Sequence, residues 1–167
     1  ENGDLHGTAH VWIVRPTGTG SFELLLQKRS AHKDSYPGCY DISAAGHVPA
    51  GCGYLDSALR ELEEELGIKA QPGDLQQAFL HLGYAEAEFY GKPFKNAEAS
   101  MVYLYSKPVR AEDLKLQETE VAGVCWMEYG ALLEEVRREA KQGNAGKYCI
   151  FLEELEQVGK YLCPHKG

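Results

Sequence analysis

Between Leu55 and Leu66, the residues Leu55, Ala58, Leu59, Leu62 and Leu66 recur at helical spacing. The spacing predicts an amphipathic helix that must lay its leucine stripe on another layer, with Asp56 or Ser57 to cap its start and Gly67 to end it. On a second face, Glu61, Glu64 and Glu65 fall within about one third of the circumference. Carboxylates at these spacings repel one another, by a few tenths of a kcal/mol per pair in water. A hard divalent ion relieves that repulsion, and magnesium is commonly held by one or two carboxylates while a substrate's phosphates complete its shell. Arg60 precedes Glu61 and lies four residues before Glu64, where its guanidinium can orient a carboxylate. A solvated charged face is the alternative reading of the same heptapeptide.

The remaining chain supplies the layer this helix needs. Thr8–Arg15 and Phe22–Lys28 read as a hairpin around Pro16–Ser21. A short strand near Tyr40–Ala44 leads into a loop holding Gly46, Pro49, Gly51 and Gly53. Strand-like segments recur near Ala78–Tyr84, Glu86–Tyr90, Ala99–Ser106 and Val124–Met127. Two amphipathic helices close the chain, the first carrying Leu132, Leu133, Val136 and Ala140, the second Tyr148, Phe151, Leu152, Leu155 and Leu162. One early helix and two late ones around mixed strands predict an α/β fold with a mixed sheet between helical layers. No linker or repeat divides the 167 residues, so they read as one domain, and the opening on Glu1 instead of Met reads as a piece of a longer chain.

Lys plus Arg number 17 against 25 Asp plus Glu, a net charge of −8, which argues against binding nucleic acid or an anionic membrane. No apolar stretch is long enough for a signal peptide or a membrane span. Five cysteines (Cys39, Cys52, Cys125, Cys149 and Cys163) form no C-x-x-C pair and cannot all pair within one chain, so a reduced, cytoplasmic setting is expected.

The segment Gly46–Ile68 resembles the Nudix box, G-x5-E-x7-R-E-U-x-E-E-x-G-U, with U a bulky aliphatic residue. Gly46, Arg60, Glu61, Leu62, Glu64, Glu65, Gly67 and Ile68 match at the correct spacing, and only Cys52 departs, standing where the pattern has its first Glu. The resemblance implies an α/β/α sandwich with the box helix after a Gly-rich loop and two C-terminal helices. It also implies metal-dependent hydrolysis of a small-molecule diphosphate linked to another moiety, with Mg²⁺ or Mn²⁺ held by Glu61, Glu64, Glu65 and the Ala45 carbonyl. Arg60, Glu61, Glu64 and Glu65 are then the catalytic set. The base is Glu64, Glu65, or a later Glu such as Glu98 or Glu120. The first Glu supports the loop and the box arginine in relatives, so Cys52 bears on rate and metal affinity; its bland reading is a small, partly buried thiol.

Leu5-His6, His10, Gln27-Lys28-Arg29-Ser30, Pro37-Gly38-Cys39-Tyr40 and Gly46-His47 are similar to the isopentenyl diphosphate isomerase branch of that superfamily. Those isomerases use a cysteine before the Gly-His pair as proton donor or acceptor at carbon, and histidines matching His6 and His47 as metal ligands. Here the cysteine position is Ala45, whose methyl cannot relay a proton, so hydrolysis is favoured over isomerisation. A catalytically weakened Nudix module used for binding is the other alternative. Lys28 and Arg29 are candidates to clamp a phosphate. Trp12, Tyr36, Tyr40, Phe89 and Tyr103 are candidate pocket aromatics, each equally readable as core. Substrate identity and oligomeric state stay open.

Overall fold

The computed structural model describes residues 5–33, 36–89, 92–142 and 146–162, the side chains of Leu5, 84–89 and 92–96 excepted. Cys163 and the side chain of Phe89 lie outside the described residues. The central strand β1 (Leu5–Pro16) carries the run Val11-Trp12-Ile13-Val14, apolar on both sides because it is covered on both sides. Its N-terminal half pairs antiparallel with β4 (Ala44–His47) and parallel with β6 (Lys92–Tyr105); its last residues pair with β2 (Phe22–Arg29). β2 then runs against β7 (Val121–Glu128) and the short β3 (Tyr40–Asp41), and β5 (Leu75–Phe89) forms a long hairpin with β6. The result is a mixed seven-stranded sheet, as expected.

Alternation along β1 sorts the core into two layers. Ala9, Val11 and Ile13 face helix α1 (Tyr54–Glu61) and the turn that continues it, where Ala58, Leu62 and Leu66 are fully buried. Trp12 and Val14 face α2 (Tyr129–Gln142) and α3 (Leu152–Leu162) through Leu132, Leu155 and Val158. Each fully buried leucine removes enough apolar surface to contribute about 1.5–3 kcal/mol, so the leucine stripe that predicts the helix also fixes where it docks.

Several local expectations change. Gly46 lies in a strand, opposite Ala9, instead of in a loop. Gly53 is the N-cap residue and offers no side chain; Asp56 sits inside the first turn, where its charge suits the positive helix end, and the Ser57 hydroxyl is buried without a hydrogen-bond partner among the described residues. The box helix continues past Glu61 as a wider π-type turn, Leu62–Leu66, closed by Gly67 in the left-handed conformation (φ 75°). Tyr148 and Phe151 precede α3 instead of belonging to it, Tyr148 bridging to Tyr40. No helix among the described residues is long and apolar enough to cross a membrane.

On the α3 side lies a polar cluster with no counterpart in the sequence reading. The Glu154 carboxylate is fully buried and accepts from His10 Nδ1 and Trp12 Nε1, each at 2.9 Å, with His81 Nδ1 at 3.7 Å. Thr8 and Ser100 hydroxyls, 2.6 Å apart, extend it. Burial, the largest single influence, pushes the His10 imidazolium down, but the Glu154 charge and hydrogen bond together with the Asp41 and Glu98 charges outweigh it and hold His10 above its ordinary value. Burial likewise pushes Glu154 up, and His10, Trp12 and His81 together hold it below.

Candidate active site

β4 and the box helix meet most closely at Gly46. The Glu61 carboxyl lies directly against the Cα of Gly46, where any Cβ would overlap its carboxyl carbon and Oε2. Glycine is required here by space and not by backbone conformation. Four residues on, Glu65 is only 8% exposed. Its Oε1 accepts from Gln27 Nε2 at 3.1 Å and from the Ala45 amide at 3.3 Å, and the same Gln27 amide donates to the Ser43 carbonyl at 3.0 Å. Burial pushes Glu65 up to about 7, with the bonds from Gln27 and Ala45 opposing and the Glu61 charge adding. Glu61, its side chain 14% exposed, is raised by burial and then by Glu64, with Arg60 opposing.

The widened turn accounts for this division. Lower rotation per residue keeps Glu61 and Glu65 turned toward the sheet, while Glu63 and Glu64 face solvent. The three box carboxylates are therefore two inward groups and one at the mouth, not the single even patch expected. Beyond Gly67 the chain from Lys115 to Gln117 closes the helix end, through Lys115 N–H to the Leu66 carbonyl and Gln117 N–H to the Glu65 carbonyl, both 3.0 Å.

Arg60 Nη2 lies 3.4 Å from the His47 carbonyl and 3.7 Å from Glu61 Oε2. Of the two later acids, Glu120 reaches the site, since its charge raises Glu61 while it is paired with Lys33. Glu98 stands beside His6 in the β1–β6 pairing, and its charge reaches His10. Alternation places His6 and His47 on the α3 side of the sheet, their exposed rings 6.3 Å apart, away from the Glu61–Glu65 face. Lys28 and Arg29 likewise diverge: the Lys28 ammonium lies 5.8 Å from the Tyr40 ring, whereas Arg29 is bound to Asp41 at 3.0 Å. Trp12 and Tyr103 are core residues, and Tyr36 is half exposed. Cys52 is exposed at the end of a turn closed by its own N–H to the Pro49 carbonyl, a correction to the partly buried thiol expected; Cys39, Cys125 and Cys149 are free as well.

Gln27 enters the sequence reading only within a resemblance and not as a site residue, and Ser43 and Lys33 escape it. A lone amide in the strand Phe22-Glu-Leu-Leu-Leu-Gln27 was the available signal for the first, because a buried polar group needs a partner.

A model of the NUDIX domain matches residues 4–148. The chain belongs to the Nudix family. It is 43% identical over 130 residues to Nudix hydrolase 3 of Arabidopsis thaliana, covering 77% of this chain and 16% of that protein. To an uncharacterised Nudix hydrolase of Clostridium acetobutylicum it is 36% identical over 132 residues, covering 79% of this chain and 61% of the other. The chain thus spans less than two thirds of either relative. Among solved structures, an Ap4A hydrolase binary complex from C. elegans has a TM-score of 0.59 at 22% identity, covering 95% of this chain and 98% of that one. The NUDIX domain of Shewanella oneidensis NrtR, complexed with ADP ribose, has 0.62 at 16%, covering 95% and 89%. At these identities the likeness is one of fold, the Nudix α/β/α sandwich.

The donor set of this Nudix site suits Mg²⁺ or Mn²⁺. Glu61, Glu64 and Glu65 offer hard oxygens, and two of them are crowded enough to hold protons above their ordinary values. Among the described residues no group of three His, Cys, Asp or Glu side chains stands close enough together to hold a metal ion by itself.

Proposed function

We propose that this Nudix chain hydrolyses a diphosphate linked to another moiety in a small molecule, with Mg²⁺ or Mn²⁺ as cofactor and residues 1–167 acting as one domain. The observation that carries the reading is the seating of Glu61 on Gly46, which holds one carboxylate beside a second, buried one at Ala45. Glu61, Glu64 and Glu65, with the Ala45 carbonyl, would hold the ion. When bound, it neutralises charge on the diphosphate and lowers the pKa of the attacking water. Arg60 orients Glu61 against β4. In the reaction, a water oxygen bonds to phosphorus, the bridging P–O bond breaks, and the water proton passes to a carboxylate. Glu65, held near neutrality by its surroundings, has the proton affinity a base needs, and Glu120 is the second candidate. Arg29 is the cation of the Lys28-Arg29 pair on the box side, beside Asp41.

Isomerisation is not favoured, because Ala45 supplies no second proton carrier. The free thiols suit a reducing, cytoplasmic compartment. The test is a product screen with Mg²⁺ and Mn²⁺ over nucleoside triphosphates, dinucleoside tetraphosphates, ADP-ribose and prenyl diphosphates including isopentenyl diphosphate; the two nucleotide-type compounds named for the fold relatives are the first to try. Glu64→Gln and Glu65→Gln should each cut turnover by orders of magnitude without altering the fold. Near-normal turnover in both contradicts the assignment.

A further inference from the structure

Where β1 changes partner, from β4 at Val11 to β2 at Val14, the sheet forks. The fully buried Ser43 hydroxyl sits in that fork, accepting from the Ile13 N–H at 2.8 Å and donating to the Leu25 carbonyl at 2.5 Å. One side chain thus supplies a partner to a backbone group of each diverging strand. Bonded on both sides, Ser43 is pinned between β1 and β2, and its own carbonyl meets the buried Gln27 amide at 3.0 Å.

A carbonyl only accepts, so the Gln27 group that faces it must be the NH2 and not the oxygen. The amide's orientation is therefore set by Ser43, and its second N–H is left to reach Glu65 Oε1 at 3.1 Å. The Ala45 N–H falls on the same oxygen at 3.3 Å, and Oε2 accepts no hydrogen bond among the described residues. Two donors on one oxygen stop the carboxylate from rotating and leave the other oxygen open. An amide kept only to satisfy the strand fork would have no need of the carboxylate; here half of its donor capacity is spent on it.

We propose that Gln27 is a positioning residue of the metal site: with its amide set by Ser43, it holds Oε1 of Glu65 and leaves Oε2 as the oxygen presented to the divalent ion. This rests on the diphosphate-hydrolase reading, in which Glu65 is a ligand. The test is calorimetric titration of Mn²⁺, without substrate, into wild type, Gln27→Met, Gln27→Asn, Glu65→Asp and Gln27→Met/Glu65→Asp. Met matches the length of Gln27 without its donors, and Asn keeps an amide for Ser43 that stops short of Glu65. Each should weaken Mn²⁺ binding roughly tenfold, the loss typical of a hydrogen bond that orients a metal ligand. On Glu65→Asp, whose carboxylate is already drawn back from Gln27 by a methylene, Gln27→Met should cost no more than about twofold further, because the two side chains act as one unit. If Gln27→Met does not fold, Gln27→Asn takes its place in each comparison. Gln27 variants that bind Mn²⁺ like wild type overturn the proposal. So does a tenfold loss that recurs undiminished on Glu65→Asp, which makes the amide a packing residue. If wild type itself binds no Mn²⁺, the diphosphate-hydrolase reading falls and this one with it, whereas a missing Gln27 effect alone leaves that reading standing.

Discussion

At Gly46 a single hydrogen in place of a methyl decides whether Glu61 can reach the sheet. Gly46→Ala should displace that carboxylate by about an ångström, which lowers turnover on the order of 100-fold. Its cost in stability should be only about 1–3 kcal/mol, the range for overpacking. Comparing kcat with the melting midpoint checks both. Glu65 carries a second consequence. Its carboxyl is raised from 4.5 to about 7 in the fold, so the folded chain binds more protons than the unfolded one between those values. Metal-free stability should therefore fall as pH rises from about 4.5 to 7 and level off above, while affinity for Mn²⁺ rises over the same range. Glu65→Gln should flatten both slopes by the Glu65 share, leaving those of Glu61 and the His10–Glu154 pair, read by melting and by titration at several pH values. Cys52, exposed and next to the helix start, has room for a longer side chain. Cys52→Glu should raise metal affinity or turnover several-fold if the loop lacks its usual support, and an unchanged value would give the thiol a role of its own.

At the scale of elements, the box helix and the histidine strand show what sequence pattern can reveal. Leucines at i, i+3 and i+4 placed the helix within a residue of its observed start, and Gly67 marked its end, because both signals are local. The widened turn at Leu62–Leu66 was hidden, since periodicity over one turn does not separate the two windings. Glu154 was hidden for another reason. In Leu152-Glu-Glu-Leu155 it reads as a solvated charge, and only the packing of α3 on β1 brings His10 and Trp12 to it. Glu154→Leu should destabilise the chain by about 3–5 kcal/mol, because it leaves an imidazole and an indole donor buried without their acceptor. The pair also has a pH window. His10, raised, contributes below about 6.5 and loses its contribution as pH rises through its folded value. Glu154, lowered, contributes above about 4.5 and loses it as pH falls through its own. The stability gap between wild type and Glu154→Leu should thus be widest between these values, as denaturant titrations at stepped pH would show.

At the scale of the whole molecule, β1 joins the parts by holding β4 and β6 on one half and β2 on the other. Its two faces separate two kinds of chemistry: carboxylates under the box helix, and histidines with one buried glutamate under α3. The segments read as separate strands between Ala78 and Ser106 are one long hairpin, and the parallel pairing of β1 with β6 joins residues some ninety positions apart. Neither is visible to a window of a dozen residues. Long-range pairing likewise explains why His6, His47 and the Lys28-Arg29 pair do not all converge on the box, whereas Glu120, some fifty positions beyond it, reaches the site together with Lys33. The central claim is that Glu61, Glu64 and Glu65 gather around a divalent ion. Crystals soaked in millimolar manganese, measured for anomalous scattering, test it most directly. The account predicts a peak bounded by these carboxylate oxygens at about 2.1 Å, the contact distance of a small hard cation. Well-ordered glutamates with no peak between them would contradict it.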